Sequence, residues 1–270
     1  GTTKGLRGIA YGSNFVAVGQ SGTILTSSGG TTWTSQTSPK SKLLRGVTYG
    51  SSADPIFVAV GRTGTILTSS GHGTSWTTID DSGTRKRLNG ITYGNSTFVT
   101  VGNSGTILTS TDGSSWTSLT PVTTENLYGV TYDNSLFVAK GDSGTILTSS
   151  DGTTWTSKTS GTTDNLTGVT YGNSTFVVVG ASGTILTSSD ATTWTSRTSG
   201  STEHLYAVTY ANSTFVVMGD AGTILTSSDG TTWTSRTSGT TNDLHRGTYG
   251  NSTFVVVGDN ATGSGTILTS

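Results

Sequence analysis

The sequence predicts an all-β fold: a seven-bladed β-propeller of four-stranded antiparallel blades, the seventh lacking its outermost strand. Three observations carry this expectation. The segment GTILTS occurs seven times, beginning at Gly22, Gly64, Gly105, Gly144, Gly183, Gly222 and Gly265. Six tryptophans, Trp33, Trp76, Trp116, Trp155, Trp194 and Trp233, stand 43, 40, 39, 39 and 39 residues apart. A period near 40 made of short β segments is the signature of propeller blades. Finally, the chain has 39 Gly and only 30% apolar residues, yet its Val, Ile, Leu and aromatic residues recur at fixed spacing. That recurrence argues for an ordered array rather than a disordered tract.

One unit, from Leu166, reads LTGVTYGNSTFVVVGASGTILTSSDATTWTSRTSG. It divides into strand A (LTGVTY), strand B (TFVVVG), strand C (TILTS) and strand D (TWTSRT), joined by the turn-forming stretches GNS, ASG and SDAT. Short strands joined by tight turns form a meander. A single meander cannot cover both its faces, and stacking copies around an axis does so. A buried Trp between outer parts of adjacent blades removes about 150–250 Å² from water, worth roughly 4–6 kcal/mol as an upper value. The A strands begin near residues 6, 44, 88, 127, 166, 205 and 244, and the whole chain, 1–270, is expected to form one propeller domain.

Seven A, seven B and seven C strands are present, but only six D strands. With A innermost and D outermost, the missing strand falls at an outer rim. Any other phase would leave a hole inside a sheet, stranding backbone donors and acceptors. The final strand, Thr266–Ser270, is therefore expected to be an exposed edge that nothing from the N-terminus clasps. The closing strand would have been lost, trimmed, or supplied by something else.

Bulk properties exclude several function classes. There is no cysteine, so no disulfide framework or thiolate metal site is possible. No apolar run approaches the roughly 20 residues of a membrane-spanning helix. Net charge is −1, with no bias towards nucleic acid. His72, His204 and His245 are scattered, so no metal centre is expected. Neither a P-loop nor a dinucleotide fingerprint nor a G-x-S-x-G elbow occurs, and no cofactor is expected. Asn95, Asn173, Asn212 and Asn251 fit glycosylation sequons, but Asn-Ser at a tight turn explains them equally well.

The turn before each Trp carries a further signal: TDGSSW from Thr111, SDGTTW from Ser150, SDATTW from Ser189 and SDGTTW from Ser228. These resemble the Asp-box, or bacterial neuraminidase repeat, S-x-D-x-G-x-T-W, and are one residue shorter between Asp and Trp. The turns SGGTTW from Ser28 and SGHGTSW from Ser70 lack the Asp. The repeat is also similar to the photosystem-assembly-factor-like seven-bladed propellers. The resemblance implies structural roles for Asp112, Asp151, Asp190 and Asp229 and for Trp116, Trp155, Trp194 and Trp233, with no catalytic residue among them. Sialidases of this class add an arginine triad and a tyrosine–glutamate pair. No arginine-Ile-Pro motif is found here, and the only glutamates, Glu125 and Glu203, occupy equivalent repeat positions.

Seven internal copies can be compared with one another. Strand B is nearly constant: FVAV, FVAV, FVTV, FVAK, FVVV, FVVM, FVVV. Variation concentrates around the A-strand leucine. Just before it stand residues that include Lys42, Arg87, Glu125 and Glu203. Just after it stand Arg7, Arg45, Asn89, Tyr128, Thr167, Tyr206 and His245. The B–C turn also varies, with Arg62 in the second copy. Alternation of turns in a meander puts the D–A and B–C connections on one face, here called the top. Divergent side chains on a constant scaffold are what a binding face looks like. The expected ligand-binding residues are Arg7, Lys42, Arg45, Arg62, Arg87, Asn89, Glu125, Tyr128, Glu203, Tyr206, His245 and Arg246.

Repeat seven departs most, with DLHRGTYG in place of NLTGVTYG. Arg246 replaces a small residue and Gly247 a β-branched one, so looser packing is expected there. Residues 1–90 hold nine Lys or Arg against three Asp, and residues 91–270 five Lys or Arg against twelve acids. Such a dipole suits head-to-tail self-association or the steering of a charged ligand. The functional expectation is a non-enzymatic binding module for a glycan or a protein partner, secreted or at the cell surface. The alternative is a structural or assembly scaffold, and a sialidase-type glycosidase ranks last.

Overall fold

The computed structural model describes residues 2–50, 55–260, 262 and 265–270. The long A–B turn of repeat two and part of the long B–C turn of repeat seven lie outside the described residues. Six four-stranded antiparallel sheets and one three-stranded sheet are arranged as seven blades, with strands in chain order within each. The A strands are Leu6–Tyr11, Leu44–Gly50, Leu88–Gly94, Leu127–Asp133, Leu166–Gly172, Leu205–Ala211 and Asp243–Gly250. Each contacts the next, and the seventh contacts the first, so A is innermost and the ring closes on itself.

The turns are set by local sequence. In the A–B turn, Asn95 and Ser96 both take positive φ, 45° and 56°, as do Asn173–Ser174, Asn212–Ser213 and Asn251–Ser252. Two successive positive φ values define a type I′ hairpin, whose twist matches that of the strands. In the B–C turn, Ser21 (φ 55°) and Gly22 (φ 73°) reverse the chain. This turn ties successive blades together: Gly64, Gly105, Gly144 and Gly183 donate their N–H to the carbonyls of Lys86, Glu125, Asp164 and Glu203 in the D–A connection entering the next blade. These bonds put both connections on the top face. On the opposite face, Asn14 and Asn173 donate from A–B turns to the carbonyls of His72 and Ser228 in C–D turns.

The C–D turn is closed by the aspartates. Asp151 Oδ1 accepts the N–H groups of Thr153 and Thr154 (both 2.7 Å) and the Ser149 hydroxyl (2.9 Å). Asp112, Asp190 and Asp229 repeat the pattern. Backbone N–H groups aimed at the carboxylate hold the pKa of Asp112 and Asp151 well below the usual carboxylate range. Each Trp indole then donates to the carbonyl three residues back, as Trp155 does to Gly152 at 3.0 Å. Trp194 is the exception: its buried Nε1 has no partner, and Ala191 stands there at φ 55° where the other copies have Gly. This turn shortens strand D to two or three residues, for example Thr156–Lys158, fewer than the sequence pattern suggests. The tryptophan belongs to the turn, not to the strand.

Between blades lie seven separate apolar seams. Trp76 of blade two packs with Val16, Val18 and Ile24 of blade one. Trp155 of blade four packs with Val99, Val101 and Ile107 of blade three. Trp33 closes the seam between blades seven and one, near Val257 and Ile267. Only the seam between blades six and seven lacks a tryptophan among its described residues. The looseness expected at Gly247 is not found. A Cβ there would lie 2.7 Å from the Met218 sulfur, and Met218 is fully buried. The methionine that interrupts the Val series in strand B fills the space that the glycine vacates.

Blade seven ends at Gly265–Thr269, which among the described residues pairs with Thr253–Asp259 alone. Most of its residues are partly exposed, whereas the C strand Ile146–Ser149 is fully buried. Among the described residues, no hydrogen bond joins residues 2–5 to this edge. The N-terminal segment crosses it only at its top, where a Cβ on Gly265 would lie 2.5 Å from the Lys4 carbonyl oxygen.

Candidate functional site: the mouth of the central channel

The residue after each A-strand leucine comes from a different blade, and all seven meet. Arg7, Arg45, Asn89, Tyr128, Thr167, Tyr206 and His245 line one cavity of about 480 Å³ at the top of the channel, with Arg62 and Arg246. The A strands run along the axis, so one register position per strand forms a ring. Lys42 lies elsewhere on the top, lining a groove with Arg85, Asp80 and Asp81. Arg87, Glu125 and Glu203 sit in the D–A connections behind the mouth and do not line it. The Glu125 carboxylate accepts a bond from Ser143. Two positions before the leucine, at Lys42, Glu125 and Glu203, the side chains leave the mouth, whereas Leu43, Asn165, His204 and Asp243, directly before it, still line the cavity.

Below this ring is a collar. The next register position holds Gly8, Gly46, Gly90, Gly129, Gly168, Ala207 and Arg246. Here neighbouring backbones nearly touch: a Cβ on Gly90 would come within 2.6 Å of the Gly129 Cα, and one on Gly168 within 2.7 Å of the Ala207 Cα. Six small residues make the close approach possible, and the seventh, Arg246, projects into it. Its Nη1 donates to the carbonyls of Tyr206 (2.9 Å) and His245 (2.8 Å). A second cavity of about 170 Å³ lies within the channel, and Arg45, Asn89, Thr167 and Arg246 line both spaces. These four residues form the throat between the two spaces.

Lys140 enters this inner space. It occupies the strand-B position that is Val or Met in the other copies, and it is 2% exposed. A Cβ on Gly129 would overlap its Nζ, so the missing side chain is what lets the ammonium group reach the channel. Among the described residues, no hydrogen bond or ion pair to Nζ is present. Burial drives its pKa well below the ordinary lysine value, and Arg246 and Arg45 push it further down. Arg45 is lowered to about 10, by burial and then by Arg246, Arg87, Arg7 and Arg62. Arg246 is likewise lowered to about 10, by burial and then by Arg7. The throat thus holds three basic side chains, and no carboxylate lies on the inner cavity among its lining residues.

The charge of Arg7 on the mouth is neutralised locally. Arg7 Nη2 pairs with Asp259 Oδ2 at 3.0 Å, linking blade one to blade seven. His245 Nε2 lies 2.6 Å from Asp259 Oδ1 and also meets Arg7. Burial, with Arg7, Arg246 and Arg45 close by, lowers the His245 pKa to about 3, so the ring is neutral, with the same Nε2 facing both the Arg7 guanidinium and the Asp259 carboxylate. The Tyr128 hydroxyl donates to Asp142; burial and this carboxylate push its pKa up to about 12. Tyr206 is raised too, by burial and then by Asp220. His204, Tyr206 and His245 pack in series, tilted in the first pair and edge-to-face in the second, with centroids 4.7 and 4.8 Å apart. Two buried acceptor or donor atoms remain unpartnered, Asn89 Oδ1 and His204 Nε2.

Sequence reasoning found the ring but missed Lys140, Asp142 and Asp220 as parts of the site. The signal for Lys140 was present, a lysine in a series of valines. Which face of strand B it takes depends on how the seams are handed.

Fold and site together define a seven-bladed propeller with a polar, asymmetric channel mouth. No helix is long and apolar enough to cross a membrane among the described residues. A family model described as the DUF6242 beta propeller domain matches residues 56–165. Among solved structures, the chain is similar to YCF48 bound to D1 peptide, with 20% identity, TM-score 0.78 and coverage of 99% of this chain and 93% of that one. It is similar also to YCF48 from Cyanidioschyzon merolae (18% identity, TM-score 0.75, coverage 99% and 96%). The computationally designed Ika8 protein matches with 13% identity, TM-score 0.71 and coverage of 99% and 96%. No curated protein matches the sequence. At these identities the likeness establishes the fold.

Proposed function

We propose that the protein is a non-enzymatic scaffold that holds a segment of a partner protein on its top face, at the channel mouth. The observation that carries this is the convergence of all seven variable residues after the A-strand leucines on one cavity, while the scaffold beneath them repeats. A basic arc from Arg7, Arg45 and Arg62 faces an arc of tyrosines hydrogen-bonded to aspartates. An extended peptide offers alternating charged and polar groups to such a surface. One of the similar propellers is described as bound to a peptide, which supports a protein rather than a glycan as the partner. The Asp-box-like turns fit this reading as folding devices repeated away from the site. Panning a displayed peptide library on the purified chain tests the reading, alongside a glycan array and a variant with Arg45, Tyr128 and Tyr206 changed to Ala. Enrichment of peptides that the triple variant no longer retains is expected. Retention unaffected by the three changes, or binding confined to glycans, would overturn it.

A further inference from the structure

A second surface lies at the outer rim, and it does not depend on how the channel mouth is read. We propose that the open edge of blade seven takes an extended segment of a separate polypeptide as its fourth strand, with a tryptophan of that segment seated in the seam between blades six and seven.

The complete blades show what an occupied rim looks like. In blade six, Thr234, Ser235 and Arg236 of strand D pair antiparallel with Thr226, Leu225 and Ile224 of strand C. The glycine before the tryptophan lies over the strand-B phenylalanine and a valine of the preceding blade: a Cβ on Gly230 would meet Val177 Cγ2 at 3.3 Å and Phe215 Cε2 at 3.6 Å. Trp233 then packs into the same seam, with Ile185 and Leu225. Under such cover the six phenylalanines from Phe15 to Phe215 are at most 1% exposed, and the six strand-C leucines from Leu25 to Leu225 at most 2%.

At blade seven the cover is absent among the described residues, and the apolar groups beneath it are open. Phe254, Leu268 and, across the seam, Ile224 are all partly exposed. Val216 is 8% exposed, whereas Val16, Val58, Val99, Val138, Val177 and Val255 at the same register position are fully buried. This is also the seam whose described residues include no tryptophan. The groove therefore has the shape that a Trp and its preceding glycine fill six times elsewhere in the chain.

The backbone of the edge is prepared in the same way. Ser270 N–H donates to the Phe254 carbonyl. By the alternation of an antiparallel pair, Ile267 and Thr269 then turn their N–H and C=O groups away from strand B, towards the rim. The edge reads GTILT, without charge or proline, and its register is free of bulges. None of these devices that keep an edge strand from pairing is present in it. Main-chain bonds along such an edge supply affinity, and a side-chain pocket beside it supplies specificity. A second copy of this chain fits poorly: its described outer strands are already paired, and its own open edge carries no tryptophan for the seam. The occupant is thus a separate segment with a Trp followed by small polar residues and a long hydrogen-bond donor. Gln36 and Arg197 play that last part, reaching back to Thr26 and Thr187, and the equivalent Thr269 is exposed.

The test uses the whole chain and an acetylated, amidated peptide with the sequence of residues 28–38, SGGTTWTSQTS. One altered peptide has Ala for its Trp. Another is N-methylated on the backbone of its Gln, which blocks the bond that Leu119 N–H makes to the Ile107 carbonyl at 3.0 Å in blade three. The protein variant is Thr269→Pro, which removes an N–H facing the rim at a place where an edge strand tolerates proline; a thermal melt checks its folding. Calorimetry is expected to show one peptide per chain, with both altered peptides and the variant at least tenfold weaker, and sedimentation to show a monomer. No binding, or equal binding of either altered peptide, would overturn the inference. Loss of binding when Arg45, Tyr128 and Tyr206 are changed to Ala would move the peptide to the mouth and overturn it too. Self-association of the chain that Thr269→Pro abolishes would give the rim to a second copy and overturn the separate partner. Should that variant fail to fold, the two altered peptides decide alone.

Discussion

Replacing Lys140 by valine should make the protein more stable. The side chain is 2% exposed, and no partner for Nζ is found among the described residues. Leaving a polar group buried and unpartnered costs about 1–3 kcal/mol in mutational terms. Valine at the same register position in other blades packs fully buried, as Val101 and Val179 do. Against this stands the loss of part of the lysine stem, about 0.8 kcal/mol per methylene. The net expected gain is about 1–2 kcal/mol, a rise of roughly 2–8 °C in Tm for a chain of this size. The pH dependence carries the sharper prediction. The folded-state pKa of Lys140 lies below its unfolded value, so between those two pH values the unfolded chain binds more protons. Wild-type stability must therefore rise with pH across that window, and the advantage of valine must shrink as pH climbs towards about 10.4. Urea denaturation of both proteins at pH 7 and near pH 10 measures this. A valine variant that is less stable at pH 7, or whose advantage does not change with pH, would show that the ammonium group is not desolvated as described.

Other outcomes follow from the same geometry. Asp259→Asn should lower stability by about 2 kcal/mol, because it leaves Arg7 and His245 without their shared carboxylate across the seam between blades seven and one; a thermal melt reads it, and an unchanged Tm would dismiss the clasp. Asp133 is raised to about 6 by burial, so the folded state holds its proton longer and stability falls as pH rises from about 4 to 6. Asp133→Asn should thus gain about 1–2 kcal/mol at pH 7 and lose that advantage below about pH 4, which a pair of denaturation curves would show. Asp151→Ala removes the acceptor for two backbone N–H groups and should cost about 1 kcal/mol at neutral pH. Its folded pKa is depressed, so that difference should fade as pH drops below about 4; a difference constant down to pH 2 would contradict the carboxylate's role.

What could be read from the sequence was what the repeat enforces. Six of the seven A strands begin at the leucine that marks them, from Leu6 to Leu205, because that side chain is fully buried in every copy. The open rim of blade seven followed from counting. The ring of residues after the leucine followed from strand parity, since one position per strand must share one level. Harder to read were side chains whose destination depends on neighbours. Lys42 and Arg87 sit within three residues of ring members yet do not line the mouth, although Leu43, Asn165, His204 and Asp243, at the position of Arg87 in other copies, do. Lys140 reaches the channel only because Gly129 beside it has no side chain. Met218 and Gly247 compensate each other across a seam, and no single repeat contains both.

The collar gives the channel an aperture with one adjustable leaf. Six of its seven positions are held small by backbones that nearly touch, and Arg246 alone extends across the opening. The width at the collar therefore rests on one codon, which also supplies one of the three basic side chains there. A glycine there would widen the bore, and a shorter or acidic side chain would change what it admits. The blades themselves would be unaffected, because the seam beside it is already filled by Met218.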